Sequence, residues 1–124
     1  MVIEQRAVGG VVVLDLKGKL ALGDGDGLLK DKVHSLVFQG SKEIALNLAA
    51  LSYMDSAGLG ELISVHSTAT RNGGHIKIFN LTKRISDLLA ITKVLTVFDV
   101  FDSEDEAVRS FGADPKDRSA VSVA

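Results

Sequence analysis

The residues best suited to chemistry or regulation lie in one short segment. In order, the segment reads Met54, Asp55, Ser56, Ala57, Gly58, Leu59 and Gly60. Asp55 and Ser56 fall where a strand-like stretch gives way to a helical pattern, so we expect Ser56 at an exposed helix amino terminus. Gly58 and Gly60 each cost a helix about 1 kcal/mol relative to alanine. Because both glycines weaken the helix, their presence indicates that another group approaches the backbone closely at this point.

A phosphate on Ser56 would be physically tolerable. It would bring about −1.5 to −2 charges to the positive end of a helix dipole, beside free backbone N–H groups. Its charge and bulk next to Asp55 would repel a partner that fits the bare serine, so phosphorylation would switch binding off. The residues alone leave a second interpretation open, in which Asp55 or Ser56 only caps the helix and the glycines only permit close packing.

Composition narrows the class of protein. The 124 residues suit one domain with a buried core, which we place at residues 1–112, followed by a mobile tail at 113–124. Lys and Arg number 14 against 16 Asp and Glu, without a basic block, so nucleic acid is not an expected partner. The absence of cysteine, of a signal-peptide pattern and of a membrane-length apolar run predicts a cytoplasmic protein with no membrane partner.

Strand and helix patterns alternate along the chain. We predict strands at 2–8 and 11–16, a loop at 17–27, a helix from 28 that stops at Gly40, a strand at 43–48, a connector at 49–55, a helix at 56–71, a strand at 76–79, a helix at 82–91, a strand at 97–101 and a helix from Ser103 to Gly112. In the second helix, Leu59, Leu62 and Ile63 are predicted to face the core. The order ββαβαβαβα predicts an α/β fold with a mixed, mostly parallel sheet and helices packed on it.

Residues 51–60, Leu-Ser-Tyr-Met-Asp-Ser-Ala-Gly-Leu-Gly, carry a family resemblance. They are similar to the strand-to-helix segment of the STAS family, the sulphate transporter and anti-sigma factor antagonist domains, which ends in Asp-Ser-x-Gly-Leu-Gly. From residue 11 to about residue 111 the chain resembles the small stand-alone bacterial anti-sigma factor antagonists of that family. The resemblance implies a single STAS-like domain that is a binding protein and not an enzyme.

The resemblance also implies a partner-switching role. Ser56 would be phosphorylated by an anti-sigma factor that is a serine kinase, and a serine phosphatase would reverse the modification. The unphosphorylated form would bind the kinase and free a sigma factor; the nucleotide would belong to the partner, so no cofactor is expected. The contact surface would combine the helix at 56–71 with the loop at 20–27. The expected partner-binding residues are Asp24, Asp26, Asp55, Ser56, Ala57, Gly58, Leu59 and Gly60.

The chain departs from the family pattern at two places. Many members have Gly-Glu-Leu-Asp after the second strand, where residues 18–21 read Gly-Lys-Leu-Ala. Asp24 or Asp26 could supply the acid that is missing at Ala21. Asn47 also stands where an aspartate is common, so no charged pair is expected there.

Other functions fit the residues less well. Counting a calcium loop from Asp24 places Ser35 at position twelve instead of Glu, and His66 lies about 15 Å along the helix from Ser56, too far for a hydrolase pair. The three histidines fall on separate predicted elements, so no metal site is expected: His34, His66 and His75. A non-switching scaffold subunit of a regulatory or transport assembly remains the alternative function.

Overall fold

A computed structural model describes residues 1–23 and 27–112. Its elements are β1 (Val2–Val8), β2 (Val11–Leu20), α1 (Leu28–Phe38), β3 (Glu43–Met54), α2 (Ser56–Arg71), β4 (His75–Phe79), α3 (Lys83–Ile91), a 3-10 turn (Val94–Thr96), β5 (Asp99–Phe101) and α4 (Glu104–Gly112). The strands form one sheet in the order β1-β2-β3-β4-β5. The predicted α/β class and element order are confirmed. The predicted tail at 113–124, together with Asp24 and Asp26, lies outside the described residues.

The sheet begins as an antiparallel hairpin and continues in parallel. β1 pairs with β2 from Val2↔Lys17 to Val8↔Val11, and the turn between them consists of Gly9 and Gly10. Both turn glycines have positive φ, 57° and 83°, as a two-residue turn matched to strand twist requires. The pairs β2–β3, β3–β4 and β4–β5 are all parallel, so helices must cross between them.

The two faces of the sheet are covered unequally. On the front face, Leu14 and Leu16 of β2 join buried residues of α1, α2 and α3 in the larger apolar cluster. On the back face, Val11 and Val13 join a smaller cluster with Ala107 of α4. Strand alternation assigns these neighbouring β2 residues to opposite faces. No helix within residues 1–23 and 27–112 combines the length and apolar character needed to cross a bilayer.

β2 and β3 are longer than predicted. The predictions that these strands end at 16 and 48 were wrong, since the two strands pair as far as Leu20↔Met54. The pairing shifts register twice, between Asp15 and Lys17 and between Gly18 and Lys19, each time with an extra residue in β3. Such bulges break the two-residue alternation on which strand prediction depends.

Some shorter predictions also needed correction. The strand predicted at 97–101 begins only at Asp99, because the chain first forms the 3-10 turn and buries Phe98 against His66, with ring centroids 4.8 Å apart. The first helix does stop at Gly40 as predicted: its last residue is Phe38, Gln39 is the C-cap, and Gly40 follows with a φ of 95°. Ile63, predicted to face the core, is 39% exposed, whereas Leu62 is buried.

Candidate functional site

Ser56 is the first residue of α2 and lies just after the end of β3, beyond the part of β3 that pairs with β4. β4 pairs with β3 only as far as Asn47, whereas β3 continues to the buried Met54. Asp55 then takes an extended conformation, and α2 begins at Ser56, which is exposed. The predicted position of Ser56, at an accessible helix start, is therefore the one that the structure shows.

Asp55 and not Ser56 caps α2. One carboxylate oxygen of Asp55, Oδ1, accepts the backbone N–H of Gly58 at 2.9 Å, and the other, Oδ2, accepts that of Leu22 at 3.0 Å. These two backbone hydrogen bonds lower the pKa of Asp55, so the carboxylate is charged at neutral pH. The Ser56 hydroxyl is thus free of the capping role that the sequence left open.

The two glycines of the motif differ in their surroundings. A Cβ atom added at Gly58 would collide with the backbone oxygen of Leu20, so the close approach predicted there is made by the chain itself. A Cβ added at Gly60 would meet nothing within 4 Å. Gly58 is buried and lets α2 pack onto the end of β2, while Gly60 is exposed.

Glu61 is a site residue that the sequence analysis did not identify. Its Oε2 accepts the backbone N–H of Lys30 at 2.9 Å, and its Oε1 accepts that of Gly27 at 3.3 Å. The residue at the start of α1 is Gly27, which has no side chain to cap the helix. A carboxylate of α2 therefore satisfies the amino terminus of α1. In the sequence, the lack of a capping side chain at Gly27 is what could have indicated that another residue caps α1.

A shallow groove of about 330 Å³ lies between the first turns of α2, the start of α1 and Leu22. It is lined by Leu22, Gly27, Lys30, Ala57, Gly60, Glu61 and Ser64. Of the predicted partner-binding residues, Ala57 and Gly60 lie in this groove, with Asp55 and Ser56 preceding Ala57 along the chain. Leu59 packs partly against the core. Within the described part of the chain, Asp55 and Glu61 are the carboxylates that hydrogen-bond to the backbone beside this groove.

Comparison with known proteins identifies the family. The STAS domain model matches residues 2–107, which is most of the chain. The chain belongs to the STAS family. The resemblance carried by residues 51–60 is thereby confirmed, and the Ser56 site lies at the strand-to-helix junction of a STAS domain.

Relatives and solved structures agree with this assignment. The chain is 33% identical over 73 residues to the anti-sigma-B factor antagonist of Bacillus subtilis, a match that spans 59% of this chain and 66% of that relative. A Thermotoga maritima protein, TM1081, has the same fold, with a TM-score of 0.80 at 21% identity over 87% of this chain and 92% of that one. The Bacillus protein SpoIIAA in its phosphorylated form gives a TM-score of 0.68 at 21% identity, over 89% of this chain and 99% of that one.

A second polar cluster of this STAS domain lies on the back face. Arg6 donates two hydrogen bonds to the Asp15 carboxylate, at 2.7 and 2.9 Å, and pairs with Glu104 of α4 at 2.6 Å. Asn47 donates to Asp15 at 2.8 Å and accepts from the Ala49 N–H at 3.1 Å. An amide suits this position, because an aspartate there would face the carboxylate of Asp15. The charged pair beside Asn47 is formed by Arg6 and Asp15.

Proposed function

We propose that this STAS domain is an anti-sigma factor antagonist: it binds an anti-sigma factor that is a serine kinase, releases the sigma factor, and is switched off by phosphorylation of Ser56. The observation that carries the proposal is the exposed Ser56 at the start of α2, with Asp55 as the helix cap. A serine that is exposed and not needed for capping can be modified without loss of the helix.

The charges around Ser56 explain why a phosphate would oppose binding. The carboxylate of Asp55 is ionised and adjacent in the chain, and Glu61 lies on the next turn of α2. To pack in the same way against phosphorylated Ser56, a partner that fits the bare serine would have to exclude water from a phosphate that carries about −1.5 to −2 charges. The backbone N–H groups at the start of α2 favour the anion in the free domain, so the modified fold is retained.

The comparisons support the same role. The Bacillus subtilis relative is named an anti-sigma-B factor antagonist, and SpoIIAA has been solved in a phosphorylated form. By analogy, the kinase and its nucleotide belong to the anti-sigma factor, and a separate serine phosphatase restores the binding form. Ser56, Ala57 and Gly60 would contact the kinase, while Gly58 and Leu59 would shape that surface from beneath.

Phosphate mapping tests the switch. We expect the cognate anti-sigma factor kinase, supplied with ATP, to place one phosphate on Ser56, as located by mass spectrometry. Ser56→Ala should abolish the modification, and Ser64→Ala, a serine two turns further along α2, should retain it. Phosphorylation of Ser56→Ala at the wild-type rate would disprove the assignment.

Binding measurements separate the switch from the scaffold alternative. Calorimetric titration of the kinase should show Ser56→Asp binding at least about 10-fold more weakly than Ser56→Ala, because a carboxylate imitates part of the phosphate charge. A non-switching scaffold subunit predicts equal affinities for the two variants. Equal affinities would therefore favour that alternative.

A further inference from the structure

Leu22 is an apolar side chain held out into solvent. It is 75% exposed, and its backbone N–H donates to Asp55 Oδ2 at 3.0 Å. Two other apolar side chains are as exposed, Phe38 at 88% and Ile91 at 81%, but each is the last residue of its helix. Leu22 alone of these three is fixed by the residue that precedes Ser56.

Two carboxylates at the start of α2 hydrogen-bond to the backbone at Leu22 and at the beginning of α1. Asp55 holds the chain at Leu22, and Glu61 holds it at Gly27 and Lys30. Leu22 also lines the groove of about 330 Å³ that the first turns of α2 complete. A backbone that is held in place before binding loses little conformational freedom when a partner covers it, which favours its use in an interface.

We propose that Leu22 is the apolar anchor of the interface with the anti-sigma factor, and that it inserts into an apolar pocket of that partner beside the site where Ser56 is contacted. The inference rests on the proposed function. Continuity selects this occupant, because the Asp55 carboxylate that positions Leu22 also caps the helix that carries Ser56. Leu22 and Ala57, the neighbour of Ser56 in the chain, line the same groove.

Phosphorylation and the anchor would then act together. A phosphate on Ser56 would keep water at the edge of the pocket that Leu22 must enter, so the apolar contact would be lost along with the serine contact. Binding of the bare form should bury Leu22 and give a negative heat-capacity change.

Affinity measurements with matched variants test the anchor. We expect Leu22→Ala to weaken binding of the unphosphorylated chain to its anti-sigma factor by about 10- to 100-fold in calorimetric titrations, as full burial of a leucine side chain predicts. Leu22→Met should stay within about 3-fold of wild type, because methionine has a similar apolar volume. Ile91→Ala, which removes a side chain of the same size from α3, should leave affinity unchanged.

The outcomes distinguish this inference from the proposed function. Unchanged thermal unfolding midpoints would show that the variants fold. If wild type binds and Leu22→Ala binds equally well, the anchor is disproved and the proposed function stands. If wild type does not bind the anti-sigma factor, both fail. If sedimentation shows a wild-type dimer that Leu22→Ala dissociates without changing that affinity, the occupant is a second copy and the inference is overturned.

Discussion

Asp55 joins two parts of the site through the two oxygens of one carboxylate. One oxygen completes the amino terminus of α2 and the other fixes Leu22. Either Asp55 or Ser56 could have been the cap, because both residue types are good caps; the choice became visible only with the backbone geometry. The glycine at 58 was predicted to allow a close approach, but the atom that approaches belongs to Leu20, far away in sequence.

The contrast between the two motif glycines gives a prediction at this scale. We expect Gly58→Ala to lower the free energy of unfolding by about 1–3 kcal/mol, because the new Cβ meets a backbone oxygen that cannot move without displacing β2. Gly60→Ala should raise it by up to about 1 kcal/mol, since alanine is the better helix former and the space is open. Urea unfolding followed by circular dichroism measures both, and equal effects would contradict this account.

At the scale of elements, the end of β3 shows where prediction from sequence stops. Leu48, Leu51 and Met54 are all buried, at a spacing of three that fits neither a regular strand nor a helix. The two bulges produce this spacing, and their positions depend on the pairing with β2 and not on β3 alone. Helix α2 was placed correctly because its signals, a capping residue and a helical apolar period, are local.

The cap that α2 supplies to α1 is testable through Glu61. We expect Glu61→Ala to lower the free energy of unfolding by about 1 kcal/mol and to speed amide hydrogen exchange at Lys30, because the first turn of α1 loses its acceptor. Thr70→Ala, an exposed change near the other end of α2, should leave exchange at Lys30 as in wild type. Protection of Lys30 that survives Glu61→Ala would show that the carboxylate is not the cap.

For the whole molecule, the Arg6–Asp15–Asn47 cluster connects the hairpin to the centre of the sheet and, through Glu104, to α4. The hydrogen bonds from Arg6 are the main cause of the lowered pKa of Asp15, and the bond from Asn47 adds to it. In the sequence, Arg6, Asp15 and Glu104 look like ordinary strand or helix surface, and Asn47 stands out only as a departure from the family pattern. Their meeting depends on the order and register of the strands, which no local pattern contains.

Acid should therefore weaken the fold in part through Asp15. Its pKa is lower when folded than the usual value of about 3.9, so its stabilisation is present above about pH 4 and is lost as pH falls through the folded pKa. At pH 7, Asp15→Asn should lower the free energy of unfolding by about 1 kcal/mol, and the deficit should shrink toward pH 3. Urea titrations across this range measure it.

The control for this pH dependence is Asp87→Asn, which alters an exposed pair with Lys83 on α3. Its stability profile should run parallel to that of wild type, since exposed pairs contribute little. A deficit for Asp15→Asn that is constant from pH 7 to pH 3 would contradict the role given to its ionised carboxylate.

The unequal covering of the sheet offers a way to orient the molecule on a solid support. Helix α4 packs on the back face and α2 on the front face, and Arg109 of α4 is exposed. The chain contains no cysteine, so Arg109→Cys would introduce a single thiol for coupling to a sensor chip. Every coupled molecule would then be attached through the helix of its back face, opposite the face on which α2 packs. The bare and phosphorylated forms could be compared on the same chip.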